Sequence, residues 1–380
     1  MSLHFEIECL CGINRYAVQA NKHDAAGSSL TLCHCDSCRY SSGLLCTSYH
    51  SIVKPALGDH LRSWKEENGS SRYFCRVCGC HLFCSNHDAT TVGESSWGVA
   101  TGCVKKAEGS GSASFAYAGH SLVTDTKDGG AAVWLTEVHG RRMTVQTAAE
   151  EALLVSQTSD GPLSSMDHLY GACACGNVRF HINRPNAASY EAHSTYPDLM
   201  LAYKTTPEEK LSNPSREKWW IQGEDRNKYA AGTCACRSCR LFSGFEIQTW
   251  AFVPQKNIFV SRISSGQDAG TPTAPLDFSS VPTGMLQSYQ SSPGVLREFC
   301  PRCGATVFWH NDTRADLVDV SVGLLRAPEG ARAETWLQWW TNRVSFEEDT
   351  ELGRDGAVAS TARELIKALE EGLRSWRSGT

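Results

Sequence analysis

The sequence predicts a mainly β protein built as two tandem zinc-binding, β-rich domains with a C-terminal helix. Three observations point there: blocks of cysteines that recur in the same order in each half, short β-prone runs between them, and one apolar stripe of helical period near the end. The chain has 380 residues and 18 cysteines. In a reducing compartment so many cysteines serve more often as metal ligands or reactive thiols than as disulfides.

The first block opens each copy. Cys9-Leu-Cys11-Gly12 is followed by Arg15-Tyr16-Ala-Val18, and Cys173-Ala-Cys175-Gly176 by Arg179-Phe180-His-Ile182. Apolar and polar residues alternate there, as in a half-buried strand. The second block, Cys33-His-Cys35-Asp-Ser-Cys38-Arg39-Tyr-Ser-Ser42-Gly43, matches Cys234-Ala-Cys236-Arg-Ser-Cys239-Arg240-Leu-Phe-Ser243-Gly244 at seven of eleven positions. The third pairs Phe74-Cys75-Arg-Val-Cys78-Gly79 with Phe299-Cys300-Pro-Arg-Cys303-Gly304. Three blocks in one order indicate an internal duplication.

Domains are expected at 1–145 and 169–350, with a linker and short helix over 146–168 and a C-terminal helix over 351–380. The second copy carries long insertions. The one containing Trp219-Trp220 is expected to pack against the core. The one from Ser261 to Gly294, rich in Ser, Pro and Gly, reads as an irregular surface loop. Ala131–Leu135, Gln248–Val253, Ala305–Trp309 and Leu317–Val322 read as strands. Val358, Ala362, Leu365, Ile366, Leu369, Leu373 and Trp376 form the helical stripe, which suits a helix docked on the core or, alternatively, one that binds a partner.

Composition excludes several classes. Hydrophobic residues make up 41% and charged residues 20%, as in a folded globular chain. A net charge of −5 argues against nonspecific nucleic-acid binding. No apolar run reaches the ~18 residues of a membrane span, and the acidic N-terminus lacks a secretory core. A cytoplasmic protein is expected, with no membrane or nucleic-acid partner.

Spacing then assigns the sulfurs. A Cys-x-x-Cys-Gly turn supplies two thiolates to one Zn²⁺, and a closed tetrahedral site needs four. The Cys-x-Cys-Gly pair is the natural complement. One zinc is therefore assigned to Cys9, Cys11, Cys75 and Cys78, and another to Cys173, Cys175, Cys300 and Cys303. The Cys-x-Cys-x-x-Cys motif supplies three thiolates, Cys33, Cys35 and Cys38 in one copy and Cys234, Cys236 and Cys239 in the other. Three protein ligands leave one position open, as in catalytic zinc, and a thiolate substrate suits it. Arg39 and Arg240 follow the third cysteine. Each could offset the excess negative charge or bind a substrate carboxylate, or be a plain surface arginine. A fourth ligand would instead close the triads and make them structural. Cys46, Cys80, Cys84 and Cys103 are spare in the first copy, and His181, His193 and His310 are available in the second.

These blocks resemble the glutathione-dependent formaldehyde-activating family, which also contains centromere protein V. The resemblance covers nearly the whole chain as two copies. It implies a β-rich fold with two zincs per domain, one structural and one on the three-cysteine motif. It further implies glutathione-adduct chemistry, formally that of a carbon–sulfur lyase. The open zincs then fall on Cys33, Cys35 and Cys38 and on Cys234, Cys236 and Cys239. Ala235 stands where the family usually has His, Cys80 stands where a small residue is usual, and the insertions are atypical. The expected function is cleavage or formation of a carbon–sulfur bond in a small-molecule thiol adduct, with glutathione as default co-substrate and Zn²⁺ as cofactor. His34, Tyr40 and His310 are candidate acid–base groups. The alternative is a non-enzymatic zinc module that binds a protein. The two copies are expected to pack together as a pseudo-dimer, and one copy alone, the second for preference, could be active.

Overall fold

The computed structural model describes residues 2–21, 28–66, 69–87, 95–109, 114–146, 167–196, 201–202, 205–261 and 273–378. The expected helix between the copies lies mostly outside them. The fold is mainly β, with three described α-helices. The first copy centres on a five-stranded antiparallel sheet in the order Tyr49–Ile52, Ser95–Ala100, His81–His87, Ser71–Cys75, Leu61–Lys65. The second repeats that order with Gln248–Pro254, Leu317–Ser321, Thr306–Asn311, Val295–Phe299 and Gln287–Ser292. A smaller sheet carries the opening block of each copy. On His4–Glu8, Phe5 and Ile7 are buried while His4 and Glu6 are exposed, the alternation of a sheet with one face on the core.

Helices α1 (Asp36–Ser42) and α2 (Arg237–Ser243) begin within the three-cysteine motifs. Each starts on a cysteine. The sulfurs of Cys35 and Cys236 accept the N–H of Cys38 and of Cys239, both at 3.3 Å, which occupies a backbone donor that a helix N-terminus leaves unpaired. Each ends on a left-handed glycine, Gly43 or Gly244. Helix α3 (Gly356–Ser378) buries the predicted stripe, Val358, Ala362, Leu365, Ile366, Leu369 and Leu373. It packs on Val104–Glu108 and Phe115–Ser121 of the first copy, and its Glu370 accepts the Val344 N–H of the second at 2.7 Å. The docked reading of this helix holds.

Two expectations are corrected. Ala131–Leu135 is no strand: Gly130–Val133 forms a 3₁₀ turn, because Gly129 and Gly130 both adopt positive φ and the Asp128 carboxylate accepts the Gly130 N–H at 2.8 Å. The stretch 261–294 is no plain loop. It supplies Thr273–Pro275 and the edge strand Gln287–Ser292, counterpart of Leu61–Lys65. Gln287–Ser292 reads polar because it is an outer strand with little of either face on the core.

The copies meet about a pseudo-twofold axis. Gly323 donates its N–H to Gly43 O at 3.2 Å, and the matching Gly102 donates to Gly244 O at 3.0 Å. A Cβ on Gly43 would lie 2.3 Å from Thr306 O, and one on Gly244 the same distance from His81 O. Phe74 packs over Gly304 and Phe299 over Gly79. Arg62 donates to Pro301 O at 3.0 Å, and the corresponding Gln287 to Arg76 O at 2.8 Å. Each of these contacts has its mirror, as in an isologous dimer interface.

Candidate metal centres and the cavity beside them

Strands and turns distant in sequence bring the predicted ligand sets together. Cys9, Cys11, Cys75 and Cys78 cluster with all sulfurs within 4.8 Å of one another, and so do Cys173, Cys175, Cys300 and Cys303. Neighbouring sulfurs stand 3.4 to 3.6 Å apart. Zinc–sulfur bonds of about 2.3 Å in a tetrahedron require roughly 3.8 Å, and a disulfide about 2.05 Å. All eighteen cysteines are free thiols. Backbone N–H groups point at these sulfurs, Asn14 to Cys9 at 3.4 Å and Val178 to Cys173 at 3.3 Å. The donor set fits zinc. The sulfurs also share protons: hydrogen bonds from Cys11, Cys75 and Cys78 hold Cys9 far below the usual thiol range, while the cluster pushes Cys78 far above it. A divalent cation would replace those protons.

The triads form as predicted, Cys33, Cys35 and Cys38 in one copy and Cys234, Cys236 and Cys239 in the other. Among the described residues, neither has a fourth His, Cys, Asp or Glu ligand atom within 4.8 Å of all three sulfurs. Of the spare cysteines, Cys80 and Cys103 pair with each other at 3.4 Å, and Cys84 lies on a strand in register with Arg72. His310 sits on the opposite face of its strand from the second triad, bonded to Glu298 at 3.1 Å and stacked on Phe278. His181 stacks on Phe259, and His193 is exposed. His34 bonds to His120 at 2.9 Å, and burial holds it well below 6.5.

Arginines do reach the triads, but from a neighbouring strand and not from the positions after the third cysteine. Arg72 donates to Cys38 Sγ at 3.2 Å, and Arg297 to Cys239 Sγ at 3.5 Å. Both are buried. Three thiolates on one Zn²⁺ leave a net charge of −1, which one guanidinium balances. Arg39 instead pairs with Asp36 at 2.8 Å, and Arg240 donates to Gly102 O at 2.5 Å and Leu352 O at 2.9 Å, tying the copies together. Neither is a surface arginine; both are buried. The sequence carried a trace of the true pair: Arg-x-Phe-Cys-x-x-Cys-Gly occurs in both copies, two residues longer than the block recognised.

The second triad lines a cavity of about 540 Å³. Its floor is one face of the large sheet, where register aligns Phe252, Asp319, Trp309 and Arg297 across four strands. Trp250 and Phe346 add apolar wall. Tyr196 comes from the first insertion, and Ser291 and Ser292 from the second. Trp220 of the first insertion is fully buried behind Trp250 and Phe252, so that insertion packs on the core as expected.

The matching row in the first copy is Ser51, Gly98, Cys84 and Arg72. Glu66 stands where the second copy has Ser291. It accepts from Ser37 at 2.5 Å and from Arg72 at 2.9 Å, and Arg72 also reaches the Tyr49 hydroxyl at 3.3 Å. The first triad is thus braced by buried side chains at the point where the second faces open space. Repeat comparison could not reveal Asp319 or Glu66, since neither has a like residue in the other copy.

Fold and site together define a duplicated β protein whose sulfur clusters are arranged to hold metal. Residues 4–117 and 221–343, more than half of the chain, match the family described as glutathione-dependent formaldehyde-activating enzyme, and the chain belongs to that family in two copies. No curated protein matches it. Among the described residues no helix is long and apolar enough to cross a membrane.

Proposed function

We propose that the chain is a cytoplasmic zinc-dependent enzyme of carbon–sulfur lyase type, acting on a glutathione or similar thiol adduct at the second triad. The observation that carries this reading is a three-sulfur cluster, without a fourth protein ligand among the described residues, opening on a cavity with the volume for a small molecule. Family membership favours glutathione. Zinc bound by Cys234, Cys236 and Cys239 would stabilise an incoming sulfur as thiolate. Arg297 balances the added negative charge. Trp250, Phe252, Trp309 and Phe346 give the cavity apolar walls and leave room for an adduct bulkier than that of formaldehyde. In this reading the four-cysteine sites are structural zincs and contribute folding free energy.

The first triad is read as structural, because Glu66, Ser37 and Arg72 brace it. The test is turnover of the hemithioacetals of glutathione with formaldehyde and with phenylglyoxal. Cys236→Ser should abolish it and Cys35→Ser should leave most of it. Equal rates for wild type and Cys236→Ser would reject the mechanism.

A further inference from the structure

The reaction proposed above must also move a proton, and the cavity contains a carboxylate built for it. Asp319 lies on the central strand Leu317–Ser321, in register between Phe252 and Trp309. It is only 6% exposed, and what is exposed lines the cavity. Its Oδ1 accepts from Arg314 Nη2 at 2.8 Å, and among the described residues its carboxylate has no other hydrogen bond. The Arg314 guanidinium lies 4.6 Å above the Trp309 ring and also lines the cavity. It is 3% exposed, and its Nη1 is buried with no hydrogen-bond partner. A buried N–H left unpaired is costly, so a ligand oxygen placed there would be held firmly. Strand spacing sets the Asp319 backbone roughly 10 Å from that of Arg297, which itself touches the Cys239 sulfur. Triad and carboxylate line the same cavity, so an adduct with its sulfur at the triad has its carbon-side hydroxyl in the space that Asp319 faces. The first copy has Gly98 at this position.

We propose that Asp319 is the acid–base residue of the second site, with Arg314 as the positioning residue that holds it and binds the adduct oxygen. This rests on the lyase reading above. In cleavage of R–S–CHR′–OH, the hydroxyl proton passes to the Asp319 carboxylate and the O–H electron pair forms the carbonyl bond. The C–S bond breaks with its pair on sulfur, giving aldehyde and thiolate. Addition runs the same steps in reverse, with protonated Asp319 as donor. No oxidant or reductant is consumed.

Burial pushes Asp319 up to about 6, against the opposing pull of Arg314, Arg297 and His310. Asp349 is the other carboxylate that lines the cavity. A group near 6 serves as base and as acid at neutral pH.

The experiment compares wild type, Asp319→Asn and Arg314→Gln in cleavage of the two glutathione hemithioacetals as a function of pH, with infrared titration of the carboxyl band. Wild-type rate should rise through pH about 6 as Asp319 ionises. Asp319→Asn should lose roughly 100-fold, together with that limb and with the carboxyl band titrating over the same range. Arg314→Gln, which removes a cation, should move the limb to higher pH. A variant Asp319→Asn that keeps the limb and most of the rate would overturn the assignment and leave the lyase reading intact. Should that variant not fold, an unmoved limb in Arg314→Gln would overturn it equally. A wild type inert toward both adducts would overturn the lyase reading and this assignment with it.

Discussion

Arg72 and Arg297 occupy the same position in the two copies and touch corresponding sulfurs, yet their surroundings give them different work. Arg72 is bound on three sides, by Glu66, Tyr49 and Cys38. Arg297 has Ser291 at 3.2 Å, Cys239 at 3.5 Å and the Phe242 ring at 5.4 Å, and lines the cavity. A hydrogen bond to a charged partner is worth about 1.5–3 kcal/mol. Arg297→Met should therefore weaken thiol binding at the second site by roughly tenfold or more, read by calorimetry with glutathione on the zinc-loaded protein. Unchanged affinity would remove the arginine from the site. At this scale the clustered cysteines were legible because metal binding restricts both residue type and spacing. The guanidinium partners were not, since they come from neighbouring strands and sequence alone does not say which arginine lies beside which sulfur.

Elements show the same division. Gln248–Pro254, Thr306–Asn311 and Leu317–Ser321 were legible as strands because each is an apolar, β-branched run in the centre of a sheet. The 3₁₀ turn at Gly130–Val133 was not, because two glycines outweigh the β-prone residues beside them. Nor was the edge strand Gln287–Ser292, whose polar sequence looks like loop. The segment entering α3 is tied down by a buried ion pair, Arg354 with Glu246, which follows α2. Burial alone would raise the Glu246 pKa, but Arg354 overrides it and holds the carboxyl below its usual value. An acid with a depressed folded pKa stabilises fully above its unfolded value of about 4.3, and that stability is lost as pH falls through the folded value. Arg354→Met should cost about 3–5 kcal/mol at neutral pH, because it strands a buried charge. The gap from wild type should narrow on acidification below about pH 4 as the carboxyl protonates. Denaturant midpoints at the two pH values check this, and a gap independent of pH would contradict it.

For the molecule as a whole, duplication supplies both stability and asymmetry. The mirrored contacts at Gly43 and Gly244 and at Gly102 and Gly323 bring backbones so close that a side chain at any of the four would collide with the other copy. Helix α3 follows the second copy in sequence but covers strands of the first, so the halves are interlocked. That close union leaves each triad free to diverge. One is braced by Glu66, and the other opens on a cavity walled by the second copy's insertions. The most direct test is a crystal structure with anomalous scattering at the zinc edge, from crystals soaked in glutathione. Four zincs are expected at the four cysteine clusters. Two should be closed by four protein sulfurs, and the one on Cys234, Cys236 and Cys239 should carry a glutathione sulfur as its fourth ligand. A fourth protein ligand at that site, or no metal there, would contradict the account.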